Sequence, residues 1–236
     1  MELRLELLAE MEGLRTVDCH SHTVAESEYR AAAPLSLFTL GSYFERDIQS
    51  VQHYTGGGSL YQGARTDQQR WERLKAVLQR ARNVSYWRHN IVTFQGLFGL
   101  EDEELNDENW AAVNEQIRRK TAHPDWYRHV TEDVCRLQSQ VKNIPWFEDW
   151  DPRYFTAVLR MERALELWRE DARQALESHL DVAIHDLRSC RDALVQLVQQ
   201  YRARGAVGIK LAHAYRRTLL SQPVSAVVAG SVLDKA

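Results

Sequence analysis

The chain has 236 residues, 44% of them hydrophobic and 27% charged, with a net charge of −3. That composition belongs to a globular protein with a real apolar core, and the near-neutral charge argues against a nucleic-acid footprint. Three scattered cysteines (Cys19, Cys135, Cys190) form no disulfide framework and no paired-cysteine zinc motif; with no leader pattern after Met1 and no long uncharged apolar run, they point to a cytoplasmic protein without membrane partners.

Residues 2–12 read as a short amphipathic helix ended by Gly13, and a first strand follows at about 14–20. Residues 23–65 are loop-rich, with short helices expected at 35–40 and 41–52. Gly56-Gly57-Gly58 reads as a bend, because no Gly-Lys-Ser/Thr follows it to cradle a phosphate. Trp71, Leu74, Val77 and Leu78 recur at helical spacing and predict a helix from Thr66 to Ala81. Further helices are expected at 86–97, from a cap at Asn106 or Asp107 to Lys120, and from Pro124 with Trp126, Val130, Val134 and Leu137 on one face. Strands are predicted within 138–145, at 154–161 and at 206–212, with helices at 162–178 and 181–203 between the last two. Strands recurring around helices imply parallel pairing and an α/β fold.

The richest chemistry sits at the end of the first strand, in His20-Ser21-His22. In a strand, residues two apart share a face, so both imidazoles are expected to project together as ligands of one divalent metal. Asp18 would share that face one layer deeper, either orienting a ligand histidine or pairing with a cation inside the sheet. A lysine, Lys210, ends the last predicted strand, and His213, Tyr215 and Arg216 follow it; Arg216 has the fork that grips a carboxylate with two hydrogen bonds. Glu26, Glu28, Tyr29 and Arg30 read as a solvated loop that could reach a pocket mouth, and Trp87 reads as core.

Val17-Asp18-Cys19-His20-Ser21-His22 resembles the opening motif of the amidohydrolase superfamily, and Gly208-Ile209-Lys210-Leu211-Ala212-His213-Ala214-Tyr215-Arg216 is similar to a strand-end segment of amidohydrolase-related proteins. Asn83–His89 with Phe98-Gly99-Leu100 looks like the helical insert of the uronate isomerase branch. The resemblance implies a metal-dependent (β/α)8 barrel. Here about four strands are expected, with a helical insert at about 25–125 after the first strand. The pattern stops near residue 219, so 1–219 is read as an N-terminal half-barrel and 220–236 as an atypical tail. The resemblance further implies His20 and His22 as metal ligands, zinc first and manganese second. It makes Lys210 catalytic, as a metal bridge or carboxylate binder, and gives Tyr215 and Arg216 to a small-molecule substrate. The implied reaction is hydrolysis of a small carbonyl or carboxylic acid compound by metal-activated water. The alternatives are sugar-acid isomerisation and a non-catalytic fragment that pairs with a second copy.

Overall fold

The computed structural model describes residues 2–40, 43–55 and 59–233. They form two compact units: Glu26–Val130, and the segments on either side of it taken together. The glycine run 56–58 lies outside the described residues, as do 41 and 42 of the expected second short helix.

The unit Glu26–Val130 is helical: α2 (Glu26–Ala32), α3 (Phe44–Thr55), α4 (Asp67–Ala81), α5 (Ser85–Phe98), α6 (Trp110–Thr121) and the short α7 (Trp126–Arg128). Thr66 starts α4 with a capping box: its Oγ1 accepts the Gln69 N–H at 3.2 Å, and Gln69 Oε1 accepts the Thr66 N–H at 3.3 Å. The apolar stripe of α4 turns inward as its spacing predicts, burying Trp71, Leu74, Val77, Leu78 and Ala81. Trp71 is fully buried, stacks on Trp110 with centroids 5.6 Å apart, and donates its indole N–H to Asp107 at 2.7 Å. An aromatic body is thereby buried without stranding its polar edge. Gly99 ends α5 at φ +75°, a conformation glycine takes without a Cβ penalty. Asn106 caps the turn leading into α6, accepting the N–H groups of Glu108 and Asn109. Buried Asn114 accepts the Leu37 N–H at 3.0 Å and donates to Asp67 at 3.1 Å.

The other unit opens with α1 (Glu2–Gly13) and holds four parallel strands in the order β1-β2-β3-β4: Thr16–Ser21, Leu137–Ile144, Phe155–Arg160 and Gly208–Lys210. Ile144, Ala157 and Leu159 face α8 (Glu170–Leu180) and α9 (Leu187–Ala203), packing with Leu176, Leu180, Ala193, Leu197 and Tyr201. A capping box between Asp186 and Ser189 starts α9. The link from β2 to β3 is a short loop without a helix; Tyr201 OH accepts the Phe147 N–H within it at 2.6 Å. A last helix, α10 (Ala226–Leu233), lies in the segment read as an atypical tail; its Leu233 is buried and accepts from Arg173.

Five expectations need correction. Glu26, Glu28, Tyr29 and Arg30, expected in a loop, lie on α2, where Glu26 and Arg30 pair one turn apart. Residues 35–40 form a hydrogen-bonded turn, Thr39 N–H to Ser36 O, and not a helix. The helix expected from Pro124 passes into a π-helical turn, His129–Val134, and Leu137 belongs to β2, whose pairing with β1 outweighs its helical spacing. The single helix expected at 162–178 is a 3-10 turn, Glu162–Glu166, and then α8; Arg173 donates to the carbonyls of Leu167 and Trp168 and so satisfies a break in the ladder. Val182 precedes α9, because Asp181 takes φ +54° and closes α8.

Candidate functional site

The C-terminal ends of parallel strands are where α/β folds place their chemistry. At the end of β1, the pairing with β2 slips: Asp18 lies opposite Gln140, but Ser21 lies opposite Lys142, so three steps on one strand match two on the other. This is a β-bulge. Asp18 Oδ1 accepts the backbone N–H of His20 at 3.0 Å and ties off the extra residue.

The bulge changes which way each side chain points. Gln140, Lys142 and Ile144 are in register with Phe155, Ala157 and Leu159, on the face that packs against α8 and α9. Asp18 and Ser21 join that face through their partners on β2, and Ser21 Oγ donates to buried Gln140 at 3.2 Å. His20, next to Ser21, therefore turns to the opposite face. The expectation that Asp18 shares the face of His20 fails for this reason: the inserted residue breaks the period of two between them. Asp18 holds the backbone under the histidine instead of its ring.

The two imidazoles do come together. The ring centroids of His20 and His22 lie 4.9 Å apart, edge to face at 84°. Lys210 reaches the same place from β4, its Nζ 3.5 Å from His20 Nε2. β1 and β4 are the two edges of the sheet, three strand spacings apart, which is about 14 Å in a flat sheet. Side chains from both edges meet because the sheet is curled and both point to its inner face.

Two residues that the spacing alone does not mark stand beside Lys210. Arg160 is in register with it, on the same inner face, and forms an ion pair with Glu162. Burial pushes the Glu162 carboxyl up, but Arg160 and the backbone N–H groups of Glu162 and Ala212 hold it net below the usual carboxylate range. Glu162 thus joins the end of β3 to the residues just past β4, where Lys210 O also accepts the Met161 N–H at 2.8 Å. Among the described residues, Glu162 Oε2 and His213 Nδ1 are buried and have no hydrogen-bond partner. The signal available in the sequence was the alternation of Thr156, Val158 and Arg160, which puts a cation at the inner end of an otherwise apolar strand.

The structure does not bring Tyr215 and Arg216 to this cluster. Tyr215 is 92% exposed, and Arg216 donates to Glu166 at 2.9 Å. In the helical unit, Glu26 pairs with Arg30 within α2 at 2.6 Å, Tyr29 OH donates to Thr121 O at 2.7 Å, and Trp87 is core against Phe44 and Phe94.

Two imidazoles on one strand end are suitable donors for a divalent metal. Among the described residues, no set of three His, Cys, Asp or Glu side chains gathers that could hold one. His20 and His22 thus offer two donors of the right kind, one fewer than the three protein ligands usual at a catalytic zinc. Among the described residues, no helix is long and apolar enough to cross a membrane.

No family model and no curated protein matches the sequence. The fold is similar to two solved structures. One is glucuronate isomerase from Caulobacter crescentus, with a TM-score of 0.72 and 16% identity over 95% of this chain and 50% of that one. The other is uronate isomerase from Thermotoga maritima, with a TM-score of 0.77 and 15% identity over 98% of this chain and 53% of that one. The chain thus spans about half the length of the structures it matches. At this identity the likeness shows the fold: α/β, with four parallel strands as a partial barrel.

Proposed function

We propose that the chain serves a uronate isomerase-like reaction, the interconversion of an aldose acid and a ketose acid. The observation that carries this reading is the meeting of His20, His22 and Lys210 at the strand ends of a fold shared with glucuronate and uronate isomerase structures. The same likeness favours isomerisation over the hydrolysis implied by the opening motif.

A sugar acid presents a carboxylate and a row of hydroxyls next to a carbonyl. Lys210 supplies an ammonium with three donors for the carboxylate, and Arg160, in register beside it, adds a planar fork. His20 and His22 would hold a divalent metal, zinc or manganese, which when bound supplies Lewis-acid polarisation of the sugar's carbonyl and hydroxyl oxygens. The isomerisation is balanced within the substrate: C2 loses a proton and C1 gains one, the hydroxyl proton passes from O2 to O1, and the carbonyl moves from C1 to C2. Lys210 would act by fixing the acid end, so that C1 and C2 keep one position through both transfers. Arg216 could join the clamp by leaving Glu166, since an exposed pair of this kind is worth only about 0–1 kcal/mol.

The test is metal binding and turnover measured together. Equilibrium dialysis against zinc and manganese should load the chain, and His20→Ala and His22→Ala should each weaken loading by about 10-fold or more. With metal, the chain should convert D-glucuronate to its ketose, with Lys210→Ala raising KM more than it lowers kcat. Hydrolysis of simple amides without sugar-acid conversion would reverse the choice. Absence of both metal uptake and turnover would discard the catalytic reading.

A further inference from the structure

Among the described residues, the apolar side chains of α1 are left exposed. Leu3, Leu5, Leu7, Leu8 and Met11 are 43–66% exposed. A lone helix of 12 residues is marginal in water and needs an apolar surface to lie on. It also carries Glu6, Glu10 and Glu12 against a single Arg4, and it leads directly into β1, one open edge of the sheet, where Val17 is exposed.

The opposite edge carries the complement. Beside β4 lies a cavity of about 340 Å³ lined by Leu159, Val198, Tyr201, Val207 and Ile209 and rimmed by the exposed Arg202. Val207, Ile209 and Leu211 are more than half exposed along this edge. Directions match as well. All four strands are parallel, so a β1 laid beside β4 in the same sense brings α1, which precedes β1, to the end where α9 enters β4. Acidic and apolar then meets basic and apolar.

We propose that two copies of this chain associate about a two-fold axis. The α1 helix and β1 edge of each copy dock on the β4 edge and apolar groove of the other. Each copy contributes four strands and both of its edges, so the pairing closes at eight strands, the number at which a parallel barrel fills its interior with side chains. Closure also removes the open edges that otherwise invite uncontrolled pairing. This inference needs neither the metal nor the isomerase reading.

Light scattering on the eluting full chain at about 10 µM should give twice the 27.4 kDa chain mass. Val207→Asp places an acid in the groove facing α1 and should weaken association about 100-fold or more, giving the single-chain mass with an unchanged far-ultraviolet spectrum. Arg202→Glu should weaken it about 10-fold, and adding Glu6→Arg with Glu10→Arg should restore it. A single-chain mass for the unaltered protein at about 100 µM would overturn the proposal. So would a dimer that Val207→Asp leaves intact, which would put the contact elsewhere, or a ladder of larger species, which would show open pairing instead of closure.

Discussion

The helical unit and the sheet unit solve opposite problems. The helical unit satisfies itself: Trp71 is stacked and hydrogen-bonded, Asn114 is bonded on both sides of its amide, and the long helix α4 starts in a capping box. Asp47 Oδ2 is its one buried side-chain oxygen or nitrogen without a hydrogen-bond partner among the described residues. The sheet unit leaves work undone, with apolar edge strands in water and orphaned atoms on Trp146, Glu162 and His213. Unfinished polar and apolar surfaces are where ligands and partners act, which is why the proposed chemistry and the proposed self-association both fall on the sheet unit.

The sharpest way to break this contrast is at Trp71. Trp71→Ala removes a fully buried ring and leaves Asp107 without its indole donor, and should lower stability by about 3–5 kcal/mol in urea melts. A loss under about 1 kcal/mol would mean the helical unit is not a packed body.

Acid tests one carboxyl of the helical unit next. Asp67 is pushed up by desolvation but pulled net below its usual value by Arg70, Arg118 and Asn114. A carboxyl depressed in the folded state contributes stability that is complete above its unfolded value, near 3.8, and is lost as pH falls through the lower folded value. The urea midpoint should therefore drop between about pH 5 and pH 3, and Asp67→Asn should flatten that part of the curve. An unchanged slope in the variant would place the acid sensitivity at one of the other carboxyls held low, Asp107, Asp151, Glu162, Asp171 or Asp186.

Smaller effects grade the surface. Thr66→Ala removes one half of the α4 capping box and should cost about 1 kcal/mol. Arg216→Ala, breaking an exposed pair with Glu166, should change stability by less than about 0.5 kcal/mol. A larger cost for Arg216→Ala would show that the turn after β4 is built on that pair and that Arg216 is not spare for a substrate.

What could be read from the sequence followed the range of the interaction involved. α4 and α9 were legible because spacing and caps are local, and the four strands were legible because each is a bounded apolar run. His20 and His22 were legible as a pair for the same reason. The meeting with Lys210 was not, because it depends on how far a sheet curls over 190 residues of chain. The facing of Asp18 was not, because the slip is set by partners on β2. The break between Glu166 and Glu170 was hidden too: apolar spacing runs through it, and only the reach of Arg173 to two carbonyls stabilises the interruption.

The one-residue step between Asp18 and Ser21 has a consequence for anyone transplanting this tripeptide. Moved alone into another parallel strand, His-Ser-His would inherit that strand's phase, and its first ring could emerge against the helices. The portable piece is the five-residue stretch Asp18–His22, which brings its own carboxylate fastening and so sets its own phase wherever it is inserted.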